Sequence, residues 1–301
     1  MTVSALGCLA HRLITEGLGP TESSSEFAEL PIVAVAEGGE FSTWRIGTEA
    51  VVKVAPDRAT RRPLAREVAA LGAVRPHVGI AVPECLYAPN SLSDGIDFAV
   101  FSWVNGTPLE QIALSAADPV ALQLVEFVER LHSVDISTVD TSVFGLEDRG
   151  TPAEALTEAM RWQSTVLKAT DLLPPAVEEF MTSADTHPQL PHREPVLSHA
   201  DLKGEHILLD DDRALSGVID WADTCLVHPI DDYVGLAISM GLTAVSTQMK
   251  GRQDEDLIPA VSHYAKCLTI RHLGRRLDGG DQPPVDLLVR QLQRAFEPLY
   301  M

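Results

Sequence analysis

The chain has 301 residues, of which 45% are hydrophobic and 22% charged, and its net charge is −20 from 43 acidic and 23 basic residues. Such a negative surface repels nucleic acid and anionic membranes, so neither is expected as a partner. No run of about 18 apolar residues suggests a membrane span. The four cysteines are scattered and form no C-x-x-C pair, so neither zinc nor a disulfide framework is indicated. We expect a cytoplasmic monomer.

The first hundred residues predict a small β-rich region. Short apolar runs bounded by turn residues predict strands at 31–36, 41–46, 50–55, 83–87 and 97–103. A helix is predicted over 61–74, because Leu64, Val68 and Leu71 recur at helical spacing on one face.

From about residue 108 the pattern becomes helical. Apolar residues share one face between Val120 and Leu131, and residues 285–299 form a clear amphipathic helix. A short β-like block, 196–219, interrupts the helices. The predicted organisation is an α+β protein with a β-rich N-lobe, 1–104, and a mainly helical C-lobe, 105–301.

The strongest chemical signal is the segment 197–210, LSHADLKGEHILLD, followed by GVIDW at 217–221. Phosphoryl transfer needs a carboxylate that accepts the hydroxyl proton, ligands for a metal ion and a cation on the phosphates. Asp201 follows a histidine in a turn and suits the first role, with Lys203 placed to touch the transferring phosphate. His206 and Asp220 fall where a kinase places its two magnesium ligands.

These residues resemble the catalytic block of the aminoglycoside and macrolide phosphotransferases, which share the protein-kinase-like fold. The resemblance covers most of the chain and implies a two-lobed fold, ATP or GTP as co-substrate, and Mg²⁺. It implies that Lys53, in Val-Val-Lys-Val, holds the α- and β-phosphates and that Glu67 pairs with this lysine. The segment from Phe101 through Trp103 to Val104 resembles the linker that contacts the nucleotide base.

Three positions depart from the family or kinase pattern. His206 stands where the family most often has Asn. A histidine at this position is similar to the macrolide kinases and the 2″-aminoglycoside kinases within the family. Trp221 replaces the Phe-Gly of protein kinases and is similar to the macrolide kinases. The turn 37–43 does not spell G-x-G-x-x-G. Backbone N–H groups near Gly38, Gly39 and Ser42 remain candidates for binding the phosphates.

Each of these assignments has a simpler alternative. Lys53 could be a solvated residue of an edge strand, and Glu67 an exposed glutamate on a helix face. His206 could be a packed histidine beside Ile207. The adjacent Asp231 and Asp232 are interpreted as caps at the start of a helix.

The acceptor site is predicted from charge. Between residues 147 and 185 there are eight acids and three bases, and Glu154 and Glu158 share a helix face. An acidic wall formed by these residues, with Asp231 as a third candidate, would suit a cationic antibiotic. The alternative is a face that only keeps the protein soluble.

The functional hypothesis is an antibiotic kinase that transfers the γ-phosphate of ATP or GTP to a hydroxyl of an aminoglycoside. A macrolide is the alternative acceptor, because of His206 and the Ile-Asp-Trp triplet. Two further alternatives are a metabolic small-molecule kinase and a nucleotide-binding pseudokinase. Against the pseudokinase, Lys53, Asp201 and Asp220 are all present.

Overall fold

The computed structural model describes residues 30–35, 41–88, 97–114, 119–139, 142–168, 173–182, 187–280 and 283–299. Gly38 and Gly39 lie outside the described residues. The chain divides into two compact units. The first contains the described residues up to Gly106 together with 134–145 and 216–224, and the second contains 107–133, 146–215 and the residues from Cys225 onward.

The first unit is built on an antiparallel sheet of five strands in the order β1-β2-β3-β5-β4. The strands are β1 (Ile32–Ala34), β2 (Ser42–Ile46), β3 (Ala50–Val54), β4 (Cys85–Tyr87) and β5 (Phe98–Ser102). Because side chains alternate along a strand, Trp44, Val52 and Val100 share one face and form its hydrophobic core. Lys53 therefore points to the opposite face, where Thr43 and Ala99 are its partners across the ladder.

The helix of the first unit is α1 (Arg61–Val78), which follows β3. Leu64 and Leu71 of the predicted face are buried, whereas Val68 is only half-buried, and the helix continues four residues beyond the predicted end. It ends at Gly79, whose φ of 68° is the left-handed conformation that glycine adopts easily. Glu67 lies on the buried stripe and is not an exposed glutamate, since only 1% of it is accessible.

The second unit is mainly helical. Two pairs of short strands belong to it. Strand β6 (Thr107–Pro108) pairs with β8 (Ile207–Leu209), and β7 (Val196–Ser198) pairs with β10 (Cys225–Val227). Strand β9 (Leu215–Val218) begins in the second unit and continues in the first. The helices of the second unit are α2 (Val120–His132), α3 (Pro152–Met160), α4 (Gln163–Val166), α5 (Pro175–Thr182), α6 (Ile230–Met240), α7 (Leu242–Met249), α8 (Ile258–Leu277) and α9 (Val285–Ala295).

The core of the second unit forms around α8. Leu156 and Ala159 of α3, Ile270 of α8 and Leu288 of α9 belong to one buried cluster. The amphipathic pattern near the C-terminus thus predicts α9 correctly, and its apolar face packs on α8. None of the helices within the described ranges is both long and apolar enough to cross a bilayer. The sheet-rich first unit and helical second unit confirm the predicted α+β, kinase-like fold.

Candidate functional site

Three charged side chains of the first unit meet on the side of the sheet opposite its hydrophobic core. Lys53 Nζ lies 2.7 Å from Glu67 Oε1 and 2.8 Å from Asp220 Oδ1. Glu67 comes from α1, and Asp220 follows the end of β9. The structure therefore brings together three residues that the sequence predicted for phosphate and metal binding.

The surroundings of Lys53 keep its ammonium charged. Burial alone would lower the pKa of Lys53, but the carboxylates of Glu67 and Asp220 together hold it above its usual value. Glu67 accepts hydrogen bonds from Lys53 with both oxygens, which fixes the direction of the ammonium group. An oriented cation of this kind is suited to holding the phosphates of a nucleotide.

Asp220 is held in an unusual backbone conformation. Its φ is 66°, which is rare for a residue with a side chain and is found most often at functional sites. The next residue, Trp221, is fully buried and its indole N–H donates to the Val218 carbonyl oxygen at 3.1 Å. Asp220 itself keeps 37% of its side chain exposed, so it presents an oxygen ligand of the type that Mg²⁺ prefers.

The second unit carries the predicted catalytic segment, residues 199–206, between β7 and β8. Asp201 and Glu205 both form ion pairs with Lys203, whose Nζ lies 3.0 Å from Asp201 Oδ2 and 2.8 Å from Glu205 Oε1. Burial opposes the charge of Lys203, but these two carboxylates outweigh it and raise its pKa. The arrangement places a carboxylate and a cation side by side, which is the pairing that acceptance of a hydroxyl proton next to a phosphate requires.

His206 follows the same segment and is nearly buried. Its Nδ1 lies 2.9 Å from the backbone carbonyl oxygen of Asp201, so Nδ1 carries a hydrogen, and in the neutral ring Nε2 keeps the lone pair. This tautomer is the one that a histidine needs in order to bind a metal through Nε2. Among the residues that the structure describes, no group of three or more His, Cys, Asp or Glu side chains is arranged to hold a metal ion.

Asp232 anchors the catalytic segment, a role that the sequence interpretation missed. It was interpreted with Asp231 as a helix cap, but Pro229 occupies the cap of α6 and both aspartates lie in its first turn. The buried Asp232 carboxylate accepts backbone hydrogen bonds from His199 and Ala200, at 3.2 and 3.0 Å. Ala200 has a φ of 64°, so these bonds hold the strained residue just before Asp201.

His132, at the end of α2, completes this anchor. Its Nε2 lies 3.0 Å from Asp232 Oδ2. Burial would raise the pKa of Asp232, but the hydrogen bond from His132 and the backbone N–H groups outweigh burial and lower it. No local pattern marks His132, since it comes from a helix that is remote from Asp232 in the sequence. For Asp232 the sequence offers one signal. Two consecutive aspartates at the start of an amphipathic helix point in different directions, so at least one of them is expected to lie toward the protein interior.

Gly235 allows the catalytic segment to lie directly against α6. A Cβ atom at this position would overlap the Leu202 carbonyl oxygen. We expect Gly235→Ala to push the segment away from α6 and to lower turnover about 10²-fold, the typical cost of a misplacement of about 1 Å. Steady-state kinetics would measure it. The matched control is Gly72→Ala in α1, where an added Cβ meets no atom within 4 Å and activity should be kept. Full turnover in Gly235→Ala would contradict the proposed close packing.

A cavity of about 280 Å³ opens beside Asp201. Its walls come from the catalytic segment, α6, α8, α9 and the residues before α3. Its apolar lining includes Val234, Ile238 and Leu268, and its charged lining consists of Asp201, Lys203, Glu205, Arg149 and Asp231. His272 also lines it, and burial together with Arg271 and Arg275 lowers the pKa of His272 to about 4, so its ring is neutral at pH 7. The cavity offers an acceptor both apolar contacts and a proton-accepting carboxylate.

The predicted acceptor residues fall in two places. Glu154 lies in the capping box of α3, where its Oε2 accepts from the backbone N–H of Thr151 at 2.7 Å, and this bond lowers its pKa. Glu158 is exposed on α3 and pairs with Arg161 at 3.0 Å. Neither glutamate lines the cavity beside Asp201, whereas Asp231 does and forms an ion pair with Arg149 there.

The predicted nucleotide-base segment lies at the end of β5. Phe101 is buried, and the Trp103 ring carries the Arg45 guanidinium 4.2 Å from its centroid. Trp103 and Val104 line a second cavity of about 520 Å³ within the first unit, together with the end of α1 and the residues that follow it. Ser42 begins β2, opposite Val54.

Comparison with solved structures shows the same fold in antibiotic kinases. The structure is similar to the GDP complex of aminoglycoside 2'-phosphotransferase-IIIa, with a TM-score of 0.64 and 23% identity over 90% of this chain and 95% of that chain. The complex of another aminoglycoside phosphotransferase with GDP and kanamycin has a TM-score of 0.65 and 22% identity, over 90% of this chain and 95% of that chain. The macrolide 2'-phosphotransferase of Brachybacterium faecium has a TM-score of 0.59 and 19% identity, over 99% of this chain and 100% of that chain.

Sequence comparison identifies the family. No curated protein sequence matches the chain significantly. A family model described as the phosphotransferase enzyme family, however, matches residues 31–266, which include both charged clusters described above. Because this match covers most of the sequence, the chain belongs to the phosphotransferase enzyme family and is a kinase-like enzyme that acts on hydroxyl groups.

Proposed function

We propose that this protein transfers the γ-phosphate of ATP or GTP to a hydroxyl group of an antibiotic. The observation that carries the proposal is the placement of Asp201 on the wall of a cavity with Lys203 paired to it. Asp201 orients the acceptor hydroxyl and accepts its proton. Lys203 stabilises the negative charge of the phosphoryl group as it approaches the hydroxyl oxygen.

The first unit supplies the nucleotide site in this proposal. Lys53 binds the α- and β-phosphates, and Glu67 holds Lys53 in position. Solved relatives contain GDP or ATP, so both nucleotides are candidates here. Trp103 and Val104 are the candidates for base contact, with Phe101 as the buried residue beside them.

Asp220 in the first unit and His206 in the second unit are each a candidate Mg²⁺ ligand. Asp220 offers an oxygen, and His206 offers Nε2 because its Nδ1 donates to the Asp201 carbonyl. Magnesium held by these residues would supply positive charge to the phosphate oxygens during transfer. Nitrogen is an unusual ligand for magnesium, so the assignment of His206 needs its own test.

His206→Asn should keep activity, whereas His206→Leu should lose most of it. An asparagine offers both an N–H donor for the Asp201 carbonyl and an oxygen ligand, and leucine offers neither. Turnover should be measured across a magnesium titration, because loss of a ligand raises the metal concentration needed for half-maximal rate. Equal activity in the two variants would return His206 to the role of a packed core histidine.

The acceptor class is tested with a substrate panel. Aminoglycosides are the first acceptors to test, because the protein is strongly acidic, and macrolides are the second. Each compound is incubated with ATP or GTP and magnesium, and the product is scored by a mass gain of one phosphate. A protein that binds nucleotide but phosphorylates no member of either class would contradict the proposal and favour the pseudokinase or metabolic alternatives.

A further inference from the structure

We infer that Arg149 determines which acceptors enter the cavity, by neutralising Asp231 so that the site favours an apolar acceptor with at most a single ammonium group over a polycation. The inference rests on the proposed function, since it names the acceptor class for the same cavity. It differs from the prediction based on net charge, which favoured a cationic aminoglycoside. The protein as a whole is strongly acidic, but most of the carboxylates beside Asp201 are paired with cations of the protein.

The Arg149–Asp231 pair lies in the cavity wall. The Arg149 guanidinium contacts the Asp231 carboxylate, and their side chains keep 23% and 7% of their accessible surface. A carboxylate this buried is costly to leave unpaired, so it must have either a protein cation or a ligand cation beside it. In this chain the protein supplies the cation.

The segment that carries Arg149 is fixed on both sides. The Gly150 carbonyl oxygen accepts a hydrogen bond of 2.5 Å from the Tyr264 hydroxyl of α8. On the other side, the Glu147 N–H donates to the Leu226 carbonyl oxygen of β10 at 2.9 Å. The guanidinium is thus held against Asp231 by the fold, so a substrate ammonium would have to displace a preorganised group.

The other two carboxylates of the cavity are also paired within the protein. Asp201 and Glu205 share Lys203, and His272 is neutral at pH 7. The lining therefore carries three carboxylates and two cations, a net charge of only −1, which attracts an acceptor with several ammonium groups weakly. An acceptor with an apolar body, in contrast, finds Val234, Ile238 and Leu268.

The test compares binding of kanamycin, a polycation, with binding of a macrolide that carries a single dimethylamino sugar. Binding is measured by calorimetry on the full chain without nucleotide. Arg149→Met leaves the Asp231 carboxylate without its partner, so kanamycin affinity should rise by about tenfold, while macrolide affinity changes by less than about threefold. The double variant Arg149→Met/Asp231→Asn should lose this gain. The matched control is Arg290→Met, which breaks an exposed ion pair on α9 and should alter neither affinity.

Three results would overturn the inference. The first is equal kanamycin affinity in the wild type and Arg149→Met. The second is a wild type that binds kanamycin more tightly than the macrolide. The third is a gain in Arg149→Lys as large as that in Arg149→Met, because lysine keeps the charge. If Arg149→Met does not fold, Asp231→Asn is compared with the double variant, and kanamycin must bind the double variant more tightly.

The two proposals fail in distinguishable ways. Binding is measured without nucleotide, and phosphate transfer is measured separately by mass. A wild type that prefers the macrolide but transfers no phosphate would contradict the proposed function alone. Transfer of phosphate with no effect of Arg149→Met on kanamycin binding would contradict the role of Arg149 alone.

Discussion

Asp201→Asn should lower turnover by about 10²–10⁴-fold, because an amide cannot accept the proton of the acceptor hydroxyl. Nucleotide affinity should stay nearly unchanged, since the Lys53 and Glu67 pair that is proposed to hold the phosphates belongs to the other compact unit. Single-turnover kinetics would measure the loss, and nucleotide titration would measure the affinity.

The matched control for this variant is Asp211→Asn, an exposed aspartate in the turn after β8. It should keep full turnover, because it changes the same charge outside the catalytic segment. Full activity in Asp201→Asn would remove Asp201 from the catalytic role. A parallel loss of nucleotide affinity would indicate that the substitution acts through a wider distortion of the segment.

Lys53→Met should lower both nucleotide affinity and stability. It leaves the buried Glu67 carboxylate beside Asp220 with no cation between them, and breaking a buried pair in this way costs about 3–5 kcal/mol. Urea unfolding would measure the stability. Arg61→Met is the control: it breaks a pair with Asp97 in which both side chains are more than 40% exposed, and should change stability by less than about 1 kcal/mol.

The stability loss in Lys53→Met should grow as pH rises above about 4.3, the pKa of an unfolded glutamate. Burial raises the pKa of Glu67, and Lys53 opposes this effect in the wild type. A carboxyl whose pKa is raised on folding favours the folded state below its unfolded pKa of about 4.3 and loses that contribution as pH rises through the folded pKa. Without Lys53 the folded pKa is higher still. A stability gap independent of pH would contradict the assignment of Glu67 as the buried partner.

Local sequence determined the family, the fold class and the composition of the charged clusters. The offsets within 197–221 carry the resemblance because a turn after a short strand fixes where each side chain can point. The lysine of β3 and the glutamate of α1 were predictable for a similar reason, since strand alternation and helical spacing place each on one face. In the structure Lys53 Nζ lies 2.7 Å from Glu67 Oε1.

Only the tertiary structure decided which acidic residues face the cavity beside Asp201 and which cations pair with them. Glu154 and Asp231 are both acidic and were both predicted to bind substrate, yet the first lies in a helix capping box and the second pairs with Arg149 in the cavity wall. The charge balance around a carboxylate depends on its nearest neighbours, and for Asp231 that neighbour comes from a segment remote in sequence. Packing of α6 and α8 against the residues before α3 creates this proximity, and no local pattern encodes it.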